Sequence, residues 1–193
     1  MIHNKYSEIL NIFTGDYRKE IYGRELIGKV SISQKGIALT LKELEEEGIL
    51  KSKKKGSIRF YSLNLKYSQI KEIIAIAELD KKTQFYQKHR AISHIFKDDE
   101  RIVVLFGSYA KGTQKKESDL DIFIIGKKKA EDYDKKGEEF DLEINIKYFT
   151  EKEFKELLNK KNSLINEIIK NHIIFFNTEK FISMIWKEYY GLN

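Results

Sequence analysis

Two aspartates, Asp119 and Asp121, flank a single leucine, and a glycine–serine pair, Gly107-Ser108, stands upstream at the end of an apolar run. Alternate residues of a strand point to the same face, so the two carboxylates would emerge side by side. Carboxylates that close repel each other unless a cation lies between them. Mg²⁺ takes ligands of this kind, one or two carboxylates completed by phosphate oxygens and water. Gly107 lets the backbone approach a phosphate closely, because no Cβ intervenes. Ser108 adds a hydroxyl donor, and amides at the start of a following helix can point at the same anion. Lys111, Lys115 and Lys116 lie between the two halves and can offset phosphate charge. The chemistry such a set could do is the holding of a polyphosphate with a divalent cation.

These residues need a scaffold of strands. Ile102 to Phe106 is a continuous apolar run of the kind found in central strands. A glycine-rich turn and a short helix lead to a second strand, Leu120 to Ile125. Lys127 to Glu139 reads as a charged connection, part helical. A third strand is expected over Phe140 to Phe149, with Asp141, Glu143, Asn145 and Lys147 on one face and Leu142, Ile144, Ile146 and Tyr148 on the other. The rest reads as helical. Phe154, Leu157 and Leu158 mark one face, Leu164, Ile165, Ile168 and Ile169 another, and a terminal helix is expected near Thr178 to Tyr190.

The stretch from Leu105 to Ile125, with Phe106-Gly107-Ser108-Tyr109-Ala110-Lys111-Gly112, Ser118 and Asp119-Leu120-Asp121, resembles the nucleotidyltransferase superfamily related to DNA polymerase beta, in particular its minimal members. The resemblance implies that Gly107, Ser108, Lys111 and Ser118 bind a nucleoside triphosphate. It implies that Asp119 and Asp121 ligate Mg²⁺ or Mn²⁺, in a two-metal transfer of NMP to a hydroxyl with loss of pyrophosphate. Active relatives present a third acid from a neighbouring strand. Here Asn145 stands at that position, with Glu143 one pleat repeat away as the substitute and Asp141 further off. The acceptor implied is a nucleic acid or a protein. Some minimal relatives are antitoxins that modify a partner HEPN toxin, and no HEPN signature occurs in this sequence.

Upstream, Tyr6, Ile9, Leu10 and Phe13 form one face of a first helix. A second helix is expected over Tyr22 to Val30. A third, with Ser31 and Gln34 at capping-box spacing, carries Ile37, Leu41 and Leu44 and stops at Gly48. Two strands, Ile49 to Lys53 and Ile58 to Leu63, then enclose the basic tip Lys54-Lys55-Gly56-Ser57. This arrangement resembles a winged helix-turn-helix of the MarR or ArsR type. The resemblance implies DNA contact by Ser33, Gln34 and Lys35 in the major groove and by Lys53, Lys54, Lys55 and Arg59 on phosphates. It also implies a homodimer by analogy.

The chain of 193 residues, 41% hydrophobic and 34% charged with a formal charge of +6, suits a folded protein with an anionic partner. Absence of cysteine removes disulfides and thiolate metal sites. No apolar run approaches the ~20 residues of a membrane span, and the first residues lack a signal-peptide core, so no membrane partner and a cytoplasmic protein are expected. His3, His89, His94 and His172 have no metal-ligand spacing and read as structural or surface residues. The expectation is an α+β chain: a winged helix over 1–66, a connecting helix or helices over 67–97 with a break near Asp80 to Thr83, and over 98–193 a nucleotidyltransferase mixed sheet flanked by helices.

Overall fold

A computed structural model of the chain describes residues 5–129 and 133–192. His3 and residues 130–132 of the charged connection lie outside the described residues. The chain divides into two compact units between Asp80 and Lys81.

The first unit opens with α1 (Lys5–Leu10), which tightens into a 3-10 turn, Asn11–Phe13; Ile9, Leu10 and Phe13 are buried, as their spacing predicts. The helix expected over Tyr22 to Val30 does not form. A two-residue strand, β1 (Ile21–Tyr22), runs into a 3-10 turn at Gly23–Leu26, and Gly28 sits at φ +79°. A glycine at each end of so short an apolar pattern favours turns over a helix. α2 (Gln34–Glu46) buries Ile37, Thr40, Leu41 and Leu44. Its cap is Ser33, whose hydroxyl accepts the Gly36 amide at 3.2 Å, while Ser31 is bound by Glu8 instead. The expected Ser31–Gln34 capping box is therefore replaced by a cap two residues later.

The hairpin of β2 (Leu50–Lys55) and β3 (Ile58–Leu63) runs further than its sequence signal, with only Gly56 and Ser57 in the loop. Gly56 takes φ +61°, a backbone state that suits a residue without Cβ. β1 adds to the free side of β3, so the sheet order is β1-β3-β2. α3 (Ile70–Lys88) runs unbroken through 80–83, and the break falls at His89, before α4 (Arg90–Ile95). Without proline or glycine at 80–83, nothing there interrupts the helical ladder.

The second unit is built on a four-stranded sheet of order β6-β5-β4-β7. β4 (Ile102–Phe106) and β5 (Leu120–Ile125) are antiparallel, β6 (Ile144–Phe149) lies parallel to β5, and β7 (Ile173–Phe176) lies antiparallel to β4. β7 replaces helix expected from the sequence. Four consecutive β-branched and aromatic residues suit a strand buried on both faces. One face of the sheet, with Val103, Leu105, Leu120, Ile122 and Ile124, packs against Phe85, Ile92, Ile95 and Phe96 from α3 and α4 and against Tyr133 of α6 (Tyr133–Glu138). On the other face Phe123 meets Phe154 of α7 (Glu151–Lys160) and Phe181 of α9 (Thr178–Met184), with ring centroids 5.4 and 5.9 Å away. α8 (Ser163–Lys170) adds buried Ile165, Ile168 and Ile169, and the terminal helix ends in a π-helical turn, Ile185–Tyr189. No helix among the described residues is long and apolar enough to cross a membrane.

The segment Lys97 to Glu100 reads as a mere charged stop, yet its Asp99 forms a buried ion pair with Arg101 just ahead of β4. The side chains of Asp99 and Arg101 are 2% and 9% exposed. The Arg101 guanidinium donates to both Asp99 oxygens, at 2.6 to 3.2 Å, and the Tyr133 hydroxyl donates to Oδ2 at 2.6 Å. Burial opposes the Asp99 charge, but the hydrogen bonds from Arg101 and Tyr133 outweigh it and hold the carboxyl well below its ordinary range. A depressed carboxyl stabilises the fold above its unfolded value of about 3.9 and loses that contribution as pH falls further. Asp99→Asn should therefore lower the neutral-pH stability of this unit by about 3 kcal/mol, the scale for breaking a buried pair. It should also flatten the fall in stability below about pH 4 that the native protein shows. Urea unfolding at pH 7 and pH 3 measures both, and identical acid limbs for the two proteins would refute the account.

Candidate active site

β4 ends at Phe106, paired directly with Asp121 of β5. The next residue, Gly107, turns the chain at φ +72° into the five-residue helix α5 (Gly107–Lys111). That turn brings its α-carbon under the acid. A Cβ added at Gly107 would stand 2.1 Å from Asp121 Oδ2 and 3.0 Å from its Cγ. Glycine is required twice over, by the positive φ and by the carboxylate that fills the space of a side chain. A helix of five residues contributes little macrodipole, so individual amides rather than helix charge are what this bend can offer an anion.

Asp119 immediately precedes β5, and both acids are partly exposed. Burial raises the Asp121 carboxyl; the Lys147 charge lowers it, the Asp119 charge raises it, and Glu167 and Lys111 add smaller effects of opposite sign. The Asp119 carboxylate is therefore near enough for its charge to act on Asp121. A divalent cation suits such a pair, because it takes carboxylate oxygens and removes the repulsion. Asp119 and Asp121 could hold one. Among the described residues, no group of three or more His, Asp or Glu side chains is arranged to hold a metal ion.

The parallel register sets Asn145 beside Asp121, at the position where the resemblance leads one to expect a third acid. Asp121 pairs with Asn145 and Phe123 with Lys147, so Asn145 and Lys147 share the face of Asp121. Asn145 Nδ2 donates to Asp119 Oδ2 at 3.0 Å. Lys147 Nζ stands 5.8 Å from the centroid of the Phe106 ring, beside the strand end that carries Gly107. The strand expected from Phe140 begins only at Ile144. Phe140 and Asp141 form a turn instead, with Asp141 at φ +53°, and Gly137 packs closely beneath the Leu142 carbonyl. Asp141 is thus not a strand residue. Glu143 lies just ahead of the strand, where its carbonyl accepts the Leu120 amide at 2.8 Å. Its side chain is exposed.

The remaining expected binding residues divide. Ser108 is partly exposed, and its carbonyl accepts the Thr113 amide at 3.0 Å. Ser118 Oγ accepts the Lys115 amide at 2.8 Å and so shapes the loop before Asp119. Lys111 is paired with Glu167 of α8 at 2.6 Å, whereas Lys115 and Lys116 are exposed. Sequence reasoning misses Lys147 and Glu167 as residues of the site. Lys147 is legible in principle, having the same strand parity as Asn145. Glu167 is not, since a polar residue on an amphipathic helix carries no sign of what it faces.

The described histidines do not enter the site. His89 lies 4.5 Å from the Phe85 ring and edge-on to Tyr109, His94 stacks on Phe140, and buried His172 donates from Nδ1 toward the carbonyls of Ile168 and Ile169.

In the first unit, Ser33, Gln34 and Lys35 are exposed at the start of α2. The basic hairpin residues lie on two faces. Lys53 pairs with Phe60 and Lys54 with Arg59, so Lys53 and Lys55 share one side and Lys54 and Arg59 the other. Lys55 is bound by Glu20, and Arg59 by Glu45 at 3.3 Å.

No curated protein and no solved structure gives a significant match to this chain. Residues 90–181 match the family model described as polymerase beta, nucleotidyltransferase. That span runs from α4 into α9 and contains the two-acid site, so the part of the chain that carries the site is similar to nucleotidyltransferases of the polymerase beta type.

Proposed function

We propose that the second unit binds a nucleoside triphosphate with Mg²⁺ or Mn²⁺ and transfers NMP to a hydroxyl acceptor, while the first unit is a winged helix that binds DNA. The observation that carries the first part is the Asp121 carboxylate lying where a Gly107 side chain would be, with Asp119 beside it. An acidic pair next to an open backbone bend is the pairing that a cation-bound polyphosphate needs. The family match supports nucleotidyl transfer at the level of the domain type.

In such a transfer the acceptor oxygen bonds to the α-phosphorus as the bond to the pyrophosphate oxygen breaks, and the acceptor proton passes to solvent. When bound, the divalent cation supplies positive charge to the phosphate oxygens and the leaving group. The chain's own residues bind and orient. Asp119 and Asp121 hold the cation; the Gly107 and Ser108 backbone and the Ser108 hydroxyl take the terminal phosphates. Lys111 reaches phosphate on exchanging its Glu167 partner.

A second reading is favoured by the Asn145–Asp119 hydrogen bond. An amide cannot accept a proton from an acceptor hydroxyl as a carboxylate can. On that reading the domain binds nucleotide without turnover and regulates the DNA-binding unit. For the first unit, the order β1-β3-β2 with α2 ahead of a basic hairpin supports the winged helix. The exposed residues Ser33, Gln34 and Lys35 and Lys53 and Lys54 are then the readiest for DNA, because Lys55 and Arg59 have carboxylate partners to give up.

Incubation with labelled nucleoside triphosphates, Mg²⁺ or Mn²⁺, and nucleic-acid or protein acceptors separates the two readings. Label transfer abolished in Asp119→Asn and Asp121→Asn establishes the enzyme; tight binding with no transfer to any acceptor establishes the sensor; neither activity defeats both. Gly107→Ala should weaken nucleotide binding at least tenfold, because the new methyl must displace Asp121, and should cost about 1–3 kcal/mol of backbone strain. Unchanged affinity in a folded Gly107→Ala protein would contradict the cradle. Neutralising Lys53 and Lys54 should weaken DNA retention in a gel shift. It should also reduce the salt dependence by about one unit of log–log slope for each phosphate no longer neutralised. Retention indifferent to salt and to these lysines would remove the DNA role.

A further inference from the structure

We infer that this site takes one divalent cation and not two, with Asn145 and Lys147 standing in place of the second. The inference rests on the nucleotide-binding reading above and specifies its metal content. Two-metal transfer needs carboxylates that hold both ions a few ångströms apart, one at the attacking oxygen and one at the leaving oxygen. Asp119 and Asp121 are the oxygen donors that the sheet supplies on this face. The strand that should complete the set, β6, presents nitrogen instead. Its first residue in register with Asp121 is Asn145, which turns N–H donors toward Asp119 Oδ2. Its next residue on the same face is Lys147, an ammonium with three donors and no acceptor.

Each group opposes a second ion for a separate reason. Asn145 can offer its carbonyl oxygen only by rotating its amide and giving up the hydrogen bond to Asp119, and an amide oxygen lacks the charge of the acid it replaces. Lys147 brings its ammonium to the face of Asp121, 5.8 Å from the ring of Phe106, the residue that pairs with Asp121 across β4 and β5. A second dication beside it would meet like charge, not a ligand. Asp119 and Asp121 bring two negative charges and Lys147 one positive, while Lys111 and Glu167 cancel. The remainder is one net negative charge, with a lysine on the same face as the acids where a further ligand would be needed.

The test is electron paramagnetic resonance of the full-length protein with Mn²⁺ and a non-hydrolysable nucleoside triphosphate analogue. Two Mn²⁺ ions held ~4 Å apart, the spacing of two-metal sites, couple magnetically, whereas one ion gives an uncoupled spectrum. The native protein should bind a single uncoupled Mn²⁺ per chain. The double variant Asn145→Asp with Lys147→Gln should bind two, coupled; both positions are exposed, so the exchange leaves the core untouched. A coupled pair in the native protein overturns the inference while leaving the nucleotide site standing. A double variant that still binds one uncoupled ion also overturns it, since Asn145 and Lys147 would not be what excludes the second. Absence of both Mn²⁺ and nucleotide from the native protein sinks the reading on which the inference rests.

Discussion

The close approach of the Gly107 backbone to the Asp121 carboxylate is the constraint around which the polar end of the second unit is arranged. Two carboxylates are kept close on one strand end, one of them half-buried beside a phenylalanine strand, where isolated charges are disfavoured. Burial and the neighbouring Asp119 charge both disfavour the ionised Asp121, and the Lys147 charge opposes them. The sheet tolerates the arrangement by placing Lys147 across the register and by leaving Gly107 bare beneath Asp121. Residues that store unfavourable electrostatics in this way mark sites where a ligand is expected to relieve them.

The local order of the chain explains how little is needed to build the pair. An antiparallel β4–β5 pairing puts the end of one strand beside the start of the other, so the glycine bend and the acids meet without any long connection. The parallel partner β6 then brings its own residues into line at the same height. Both faces of the sheet are covered by apolar side chains, which leaves the strand ends as the place where polar chemistry can reach solvent.

Much of this was legible because it is local. The apolar run Ile102 to Phe106 and the alternation around Asp119 and Asp121 declare strands, and the glycine between them declares a bend. Periodicity also identifies α2 and the faces of α7 and α8. What failed was decided by competition between nearby signals. Gly23 and Gly28 turned an apolar pattern into 3-10 and extended turns, and the close packing of Gly137 beneath Leu142 consumed residues that alternation would give to a strand. Ile173 to Phe176 resembled helix by apolar content but is short and branched, as a buried strand is. Tertiary partners carry no local mark, which is why neither the Asp99–Arg101 pair nor the Lys111–Glu167 pair could be read from the sequence.

Glu167 precedes Ile168, a residue with no exposed surface, and α8 ends where the His172 ring clamps the carbonyls of Ile168 and Ile169. The backbone that carries this carboxylate is held one position from such an anchor. The counter-ion of Lys111 therefore inherits its coordinates from the oily side of the sheet.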